Sequence, residues 1–215
     1  MPTPMKIDFV SDVSCPWCVV GLRSLQQAIE RIGDDVQVDL HFQPFELNSQ
    51  MPAGGQNIIE HLAEKYGSTP AQLASNSEVI RARGAALGFT FNMDKRERIY
   101  NTFDAHRLLH WAGLEGRQLA LKAALFDAYF TQGLNPSDHA VLVELARKVG
   151  LDAAKAQQIL SADTYAAEVR AQQQFYRQQG INGVPAVIIN DRHLISGGQP
   201  VEVFEQALRQ IAGAG

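Results

Sequence analysis

The alternation of apolar and polar positions divides the chain into two short α/β units separated by a long helical run. Ile7-Asp8-Phe9-Val10 is apolar and rich in β-formers, and predicts a strand. Leu22, Leu25, Ile29 and Ile32 then recur in steps of three and four, which predicts a helix with one buried stripe. Pro16 suits its first turn, where a missing N–H is no loss, and Gly33-Asp34-Asp35 ends it. Val36, Val38, Leu40 and Phe42 alternate with Gln37, Asp39, His41 and Gln43, a strand with one polar face that Pro44 stops. Residues 5–45 therefore read as a β-α-β unit with parallel strands and a right-handed crossover.

Near the other end, Val184-Pro185-Ala186-Val187-Ile188-Ile189 predicts a buried strand, Asn190-Asp191 a tight turn, and His193-Leu194-Ile195-Ser196 a returning strand. Gly197-Gly198-Gln199 leads to Pro200, which opens a helix with Val201, Phe204, Leu208 and Ile211 on one face. This is a β-β-α unit. Residues 55–180 between the two are helical in pattern throughout. Thr69-Pro70-Ala71-Gln72 reads as a capping box with proline at the first helical position. Gly67, Gly88, Gly113, Gly133 and Gly150 are expected at helix ends, Asn135-Pro136-Ser137-Asp138 at a turn and helix start. Ala153–Gln179 keeps helical spacing. The expected division is one α/β domain from 1–54 with 180–215, and an all-helical insertion over 55–179.

Composition narrows the function. With 215 residues, 46% hydrophobic and 20% charged, the chain can bury a core without cross-links. A formal charge of −4 argues against nucleic acid as a partner, since phosphate binding needs a basic face. Lys95-Arg96-Glu97-Arg98, the densest charge cluster, reads as a solvated helix face. No stretch is apolar enough to span a bilayer, and Met1–Lys6 leads into the first strand without an apolar signal core, so the expectation is a cytoplasmic protein with no membrane partner. Thiols there are held mostly reduced, which favours catalytic or metal-binding use over stapling.

The chain has two cysteines, Cys15 and Cys18, in Ser14-Cys15-Pro16-Trp17-Cys18 between the first strand and the first helix. Two thiols spaced this way on a first helical turn can close a small, readily exchanged disulfide, and the helix end stabilises the first as a thiolate. Cys15, Cys18, His106 and His110 also form a conceivable zinc set, but their spacing is wrong for common structural sites.

A β-α-β unit, a β-β-α unit and Cys-x-x-Cys after the first strand together make a thioredoxin fold. The chain resembles the DsbA-like branch of thioredoxin-fold oxidoreductases, most specifically the FrnE type. The resemblance is carried by Ser11-Asp12-Val13-Ser14-Cys15-Pro16-Trp17-Cys18, by Asn101 with Ala105-His106-Arg107-Leu108, by Gly180-Ile181-Asn182-Gly183-Val184-Pro185, and by Ser196-Gly197-Gly198-Gln199. It implies that Cys15 is the nucleophile and that Cys18 resolves the mixed disulfide. Pro185 matches the family's cis-proline, which would let Val184 offer its backbone polar groups to an extended substrate; read alone, Pro185 merely starts a strand. Asn101, His106 and Arg107 either line the cleft over Cys15 or fix helix packing and caps. Trp17 is expected exposed at the substrate surface beside Pro16.

Two departures bear on the chemistry. Trp17 stands where the DsbA type has histidine, and Phe9 where it has a buried acid; Asp8 and Asp12 are candidates to replace that acid, with Asp12 the closer to Cys15. The potential is therefore expected only within the broad span of roughly −270 to −120 mV. The expected activity is a disulfide oxidoreductase or isomerase acting on protein or small-molecule disulfides, with disulfide-containing proteins or peptides, or glutathione, as partners, no tightly bound cofactor and glutathione as a candidate co-substrate. The related kappa-class glutathione transferases and 2-hydroxychromene-2-carboxylate isomerases suggest a glutathione-dependent alternative, using backbone beside Pro185 and the loop of Ser196 and Gln199, though those relatives usually carry serine at Cys15. A third reading is a chain-binding module centred on Trp17.

Overall fold

The computed structural model describes residues 2–213. The first unit comprises strand β1 (Thr3–Ser11), helix α1 (Pro16–Ile32) and strand β2 (Val36–Pro44). β1 and β2 pair in parallel, from Thr3 opposite Val36 to Ser11 opposite Pro44. The chain then runs through β3 (Gln56–Asn57), α2 (Ile58–Tyr66), α3 (Pro70–Ala86), β4 (Arg98–Ile99), α4 (Phe103–Leu114), α5 (Gln118–Phe126), a π-helical turn (Asp127–Thr131), α6 (His139–Lys148), α7 (Ala153–Leu160) and α8 (Ala166–Gln178). The chain closes with β5 (Ala186–Ile189), β6 (His193–Ser196) and α9 (Val201–Gly213). The main sheet has the order β2-β1-β5-β6, with β1/β5 and β5/β6 antiparallel. Asn190 and Asp191 both have positive φ (52° and 56°), and Arg192 N–H closes onto Ile189 O at 3.1 Å, the primed turn a tight hairpin requires. The α/β class and the two flanking units match the periodicities.

The principal core joins Met5, Ile7 and Phe9 of β1 to Leu22 and Leu25 of α1 and to Phe204 and Leu208 of α9. Burying each such side chain contributes about 1.5–3 kcal/mol. A second core lies among α4–α7, and Val13, two residues before Cys15, is planted in it. The loop that carries the dithiol is thus anchored in both.

Four expectations need correction. Residues 55–180 are not wholly helical, because β3 and β4 pair antiparallel (Gln56 with Ile99, Asn57 with Arg98). Lys95–Arg98 is not a solvated helix face: Lys95 ends a 3-10 turn, Arg98 begins β4, and Arg96 is buried. Gly113 lies inside α4, and the left-handed residue that follows that helix is Gly116, φ 67°. Ala153–Gln179 is two helices, broken at Tyr165, whose φ is 62°. The Thr69–Gln72 capping box is present, with the Thr69 N–H donating to Gln72 Oε1 at 2.9 Å and its hydroxyl accepting from Gln72 N–H at 3.3 Å.

Candidate active site

Cys15 occupies the N-cap of α1 in extended conformation, with Pro16 at the first helical position. Neither cysteine is disulfide-bonded. Cys15 is 4% exposed and its thiol donates to Val184 O at 3.7 Å; Cys18 is one turn inside the helix and fully buried. The two thiols are pushed apart in acidity. A hydrogen bond from the Cys18 thiol is the main influence holding Cys15 below the ordinary thiol range; burial opposes it, the Cys18 and Trp17 N–H groups assist, and the charge of Asp12 opposes. Burial pushes Cys18 well above that range, and the neighbouring Cys15 adds to it. Cys15 is therefore the readier of the two to ionise, and Cys18 holds its proton more firmly.

The Val184–Pro185 peptide is cis. Its ring lies so close to α1 that a Cβ on Gly21 would meet Pro185 Cγ at 3.0 Å, so glycine there admits the proline beside the dithiol. Gly198 is equally tight against Trp17, whose backbone oxygen would sit 3.0 Å from an added Cβ. Trp17 is half-buried rather than exposed: it packs against the principal core, with the Arg83 guanidinium 5.8 Å from its ring, while Arg83 also donates to Gly198 O at 2.9 Å.

Asp12 and His106 are both buried. Asp12 accepts from Leu47 N–H at 2.8 Å, from the Ser14 hydroxyl at 3.2 Å, and faces His106 Nε2 at 3.3 Å. Burial is the largest influence on its carboxyl and raises it, but His106, Leu47 N–H and Thr102 together outweigh burial and hold it below its usual range. Asp8, the other candidate acid, is engaged elsewhere, with Lys6 at 2.9 Å and Gln43 at 2.6 Å.

Asn101 and Arg107 sit apart from the cysteines. Asn101 Oδ1 accepts from Phe103 N–H at 2.9 Å at the start of α4. Arg107 donates to Thr164 O at 2.9 Å, to Asp104 at 2.7 Å and to the carbonyls of Ile159 and Ala162, which ties α4 to the break between α7 and α8. We expect Arg107→Met to lower the unfolding free energy by about 1.5–3 kcal/mol, the worth of charged hydrogen bonds, with the alkylation rate of Cys15 unchanged in protein that remains folded. Urea titration beside that rate checks both. Ser196 pairs with Ala186 next to Pro185, and Gln199 Nε2 donates to Ser196 O at 2.8 Å, which shapes the loop that brings Gly198 to Trp17.

A cleft of about 1170 Å³ opens from Cys15 between the dithiol and α2–α3. Cys15, Pro16, Trp17 and Val184 line it, as do Arg96 and His61, which carried no functional signal in the sequence. Both nitrogens of His61 face amide oxygens, Gln56 Oε1 at 2.8 Å and Asn48 Oδ1 at 3.0 Å. Behind the dithiol, Lys122 is 1% exposed, with its ammonium 5.0 Å from the Phe126 ring centroid and 5.8 Å from that of Phe42. Burial lowers it to about 8, against the pull of Cys18, Asp12 and Cys15. A lone lysine in the apolar run Gln118–Phe126 was its available signal.

A dithiol with a lowered outer thiol, a shielded inner one and a facing cis-proline is equipped for thiol–disulfide exchange. Comparison with known proteins agrees. Residues 6–209 match the model of the DSBA-like thioredoxin domain. The protein YwbO of Bacillus subtilis, itself uncharacterized, is 29% identical over 205 residues, covering 95% of this chain and 96% of YwbO. The crystal structure of the probable DsbA oxidoreductase SCO1869 from Streptomyces coelicolor superimposes with a TM-score of 0.91 at 35% identity, over 97% of this chain and 90% of that one. The cytosolic disulfide reductase DsbM from Pseudomonas aeruginosa, solved with GSH, shares the fold at a TM-score of 0.65 and 19% identity, over 95% of this chain and 98% of DsbM. With nearly its whole length matched and a dithiol in place, the chain belongs to the DsbA-like family of thioredoxin-fold oxidoreductases.

Proposed function

We propose that this chain is a cytoplasmic dithiol–disulfide oxidoreductase or isomerase acting on protein or small-molecule disulfides, with glutathione as a co-substrate. The observation that carries the reading is the opposed acidity of Cys15 and Cys18 across one helical turn. The Cys15 thiolate bonds to one substrate sulfur, the substrate S–S bond breaks, and the other half leaves as a thiolate that takes a proton from solvent. Cys18, losing its proton, then displaces the bound half and forms the Cys15–Cys18 disulfide. The substrate is reduced by two electrons and the dithiol oxidised by two. Val184 supplies backbone groups beside the attacked sulfur, as in strand addition. No helix among the described residues is long and apolar enough to cross a membrane.

Alkylation against pH tests the reading. Cys15 in Cys18→Ser should react with a midpoint below the ordinary thiol value of about 8.5, and the rate should rise with pH and level off above that midpoint. Because the Cys18 donor is the main influence on Cys15, Cys18→Ala, which lacks any donor, should show a higher midpoint than Cys18→Ser. Equal midpoints in the two variants, both at the ordinary value, would defeat it.

A chain-holding role is a second reading, favoured by Ile59, Tyr66 and Val79, which line the cleft yet are 57%, 61% and 49% exposed. Suppression of client aggregation that persists in the double serine variant would support it.

A further inference from the structure

The cleft beside Cys15 holds a buried cation without an anion. Arg96 follows the 3-10 turn Met93–Lys95 and is 9% exposed. One terminal nitrogen donates to Ser14 O at 3.0 Å, within one residue of the nucleophile. The guanidinium carbon stands 5.1 Å from the Tyr129 ring centroid and 5.0 Å from that of Phe130, both on the π-helical turn. Its Nε is buried with no hydrogen-bond partner. Among the described residues no carboxylate lies within 4.0 Å of it.

The neighbouring charges do not supply the missing partner. Glu78 and Asp94 both pair with Arg81 at the exposed rim, and Glu97 is exposed. Asp12 is committed to the Ser14 hydroxyl, Leu47 N–H and His106. His61 has its ring nitrogens against Gln56 and Asn48. A buried guanidinium is costly unless paired, and its planar fork suits a carboxylate in two-point contact. Two aromatic rings and the Ser14 carbonyl hold that fork in place before any ligand arrives.

We propose that Arg96 binds a carboxylate carried by the disulfide substrate, so that the cleft selects disulfides with an acidic group a few bonds from the sulfur that Cys15 attacks. This rests on the exchange reading above. Attack itself is unchanged: Cys15 gains a bond to the near sulfur while the other half departs as a thiolate. Arg96 only fixes where the near half sits, and the apolar walls of the cleft take the rest of the substrate.

Three disulfides of similar size test the proposal: 3,3′-dithiodipropionate (anionic), bis(2-hydroxyethyl) disulfide (neutral) and cystamine (cationic). Each is mixed with reduced protein in a stopped-flow instrument, and each rate is divided by that of free dithiothreitol with the same disulfide. The wild-type protein should favour the anionic over the neutral disulfide by about 10- to 100-fold, the range expected of a charge-assisted two-point hydrogen bond. Arg96→Gln should bring that ratio to near one, and Arg96→Lys, which keeps the charge without the fork, should fall between. A wild-type ratio near one overturns the proposal without any variant having to fold. So does a ratio that Arg96→Gln leaves intact, or an equal loss for all three disulfides, which would place Arg96 on the Cys15 thiolate instead. If none of the three reacts with wild-type protein, the exchange reading fails and this proposal falls with it.

Discussion

Reduced Cys18→Ser protein, mixed with a disulfide, is expected to stop after the first exchange with one substrate half bound to Cys15. Turnover should fall by at least about a thousandfold, because a resolving thiol one helical turn away acts at an effective concentration of roughly 10⁵ M or more. An external thiol at millimolar concentration replaces it only in small part. The residual route is attack by free thiol on the mixed disulfide, so added dithiothreitol should restore turnover in proportion to its concentration. Intact-mass spectrometry of the variant after incubation with a disulfide checks the trapped species directly. Cys15 found free, with the disulfide unconsumed, would mean that the lowered thiol is not the attacking group.

Removing the carboxylate of Asp12 is the second large effect expected. Asp12→Ala leaves the buried Leu47 N–H, the Ser14 hydroxyl and the His106 ring without their acceptor. Breaking a buried charged network from one side costs about 3–5 kcal/mol, and urea unfolding at pH 7 should show a loss of that size. The same carboxyl predicts an acid limb. Its folded pKa lies below the unfolded value of about 3.9, so its contribution is fully present above that pH and is lost as pH falls through the lower, folded value. Wild-type stability should therefore decline below about pH 4, and the decline should be shallower in the variant. Asp12 also opposes ionisation of Cys15, so Asp12→Asn, which keeps the shape, should lower the Cys15 midpoint further. A variant of wild-type stability and unchanged Cys15 midpoint would remove Asp12 from the site.

The residues that could be read in advance share a physical property: their environment follows from their own neighbours in the chain. α1, β2 and α9 bury the faces their periodicities predict, because a helix or strand half-covered by a core needs its apolar groups at a repeating interval. Thr69–Gln72 completes its capping box with groups three residues apart. The site of Cys15 at a helix start, with Cys18 one turn in, is equally local.

Arg96, Lys122 and Tyr165 show where such reading stops. Arg96 lies in the run Lys95–Arg98, which by charge alone belongs on a solvated surface; it is buried because Tyr129 and Phe130, more than thirty residues later, close over it. Lys122 stands behind the dithiol because α5 is laid against β2, so that Phe42 and Phe126 flank its ammonium. Tyr165 breaks a continuous helical pattern at the point where Arg107 collects the carbonyls of Ile159, Ala162 and Thr164. Asn101 and Arg107, quoted beside His106 for one motif, serve different ends, since only His106 meets Asp12.

By itself the sequence determined the α/β class, the placement of the dithiol on a first helical turn and the proline at the edge of β5, because periodicity, capping and residue spacing act over a few residues. Only the tertiary structure decided which charges surround that dithiol. Burial and Coulomb interactions depend on distance through space, and His106 on Asp12, Lys122 behind Cys18 and Arg96 in the cleft all reach the dithiol from elements far along the chain.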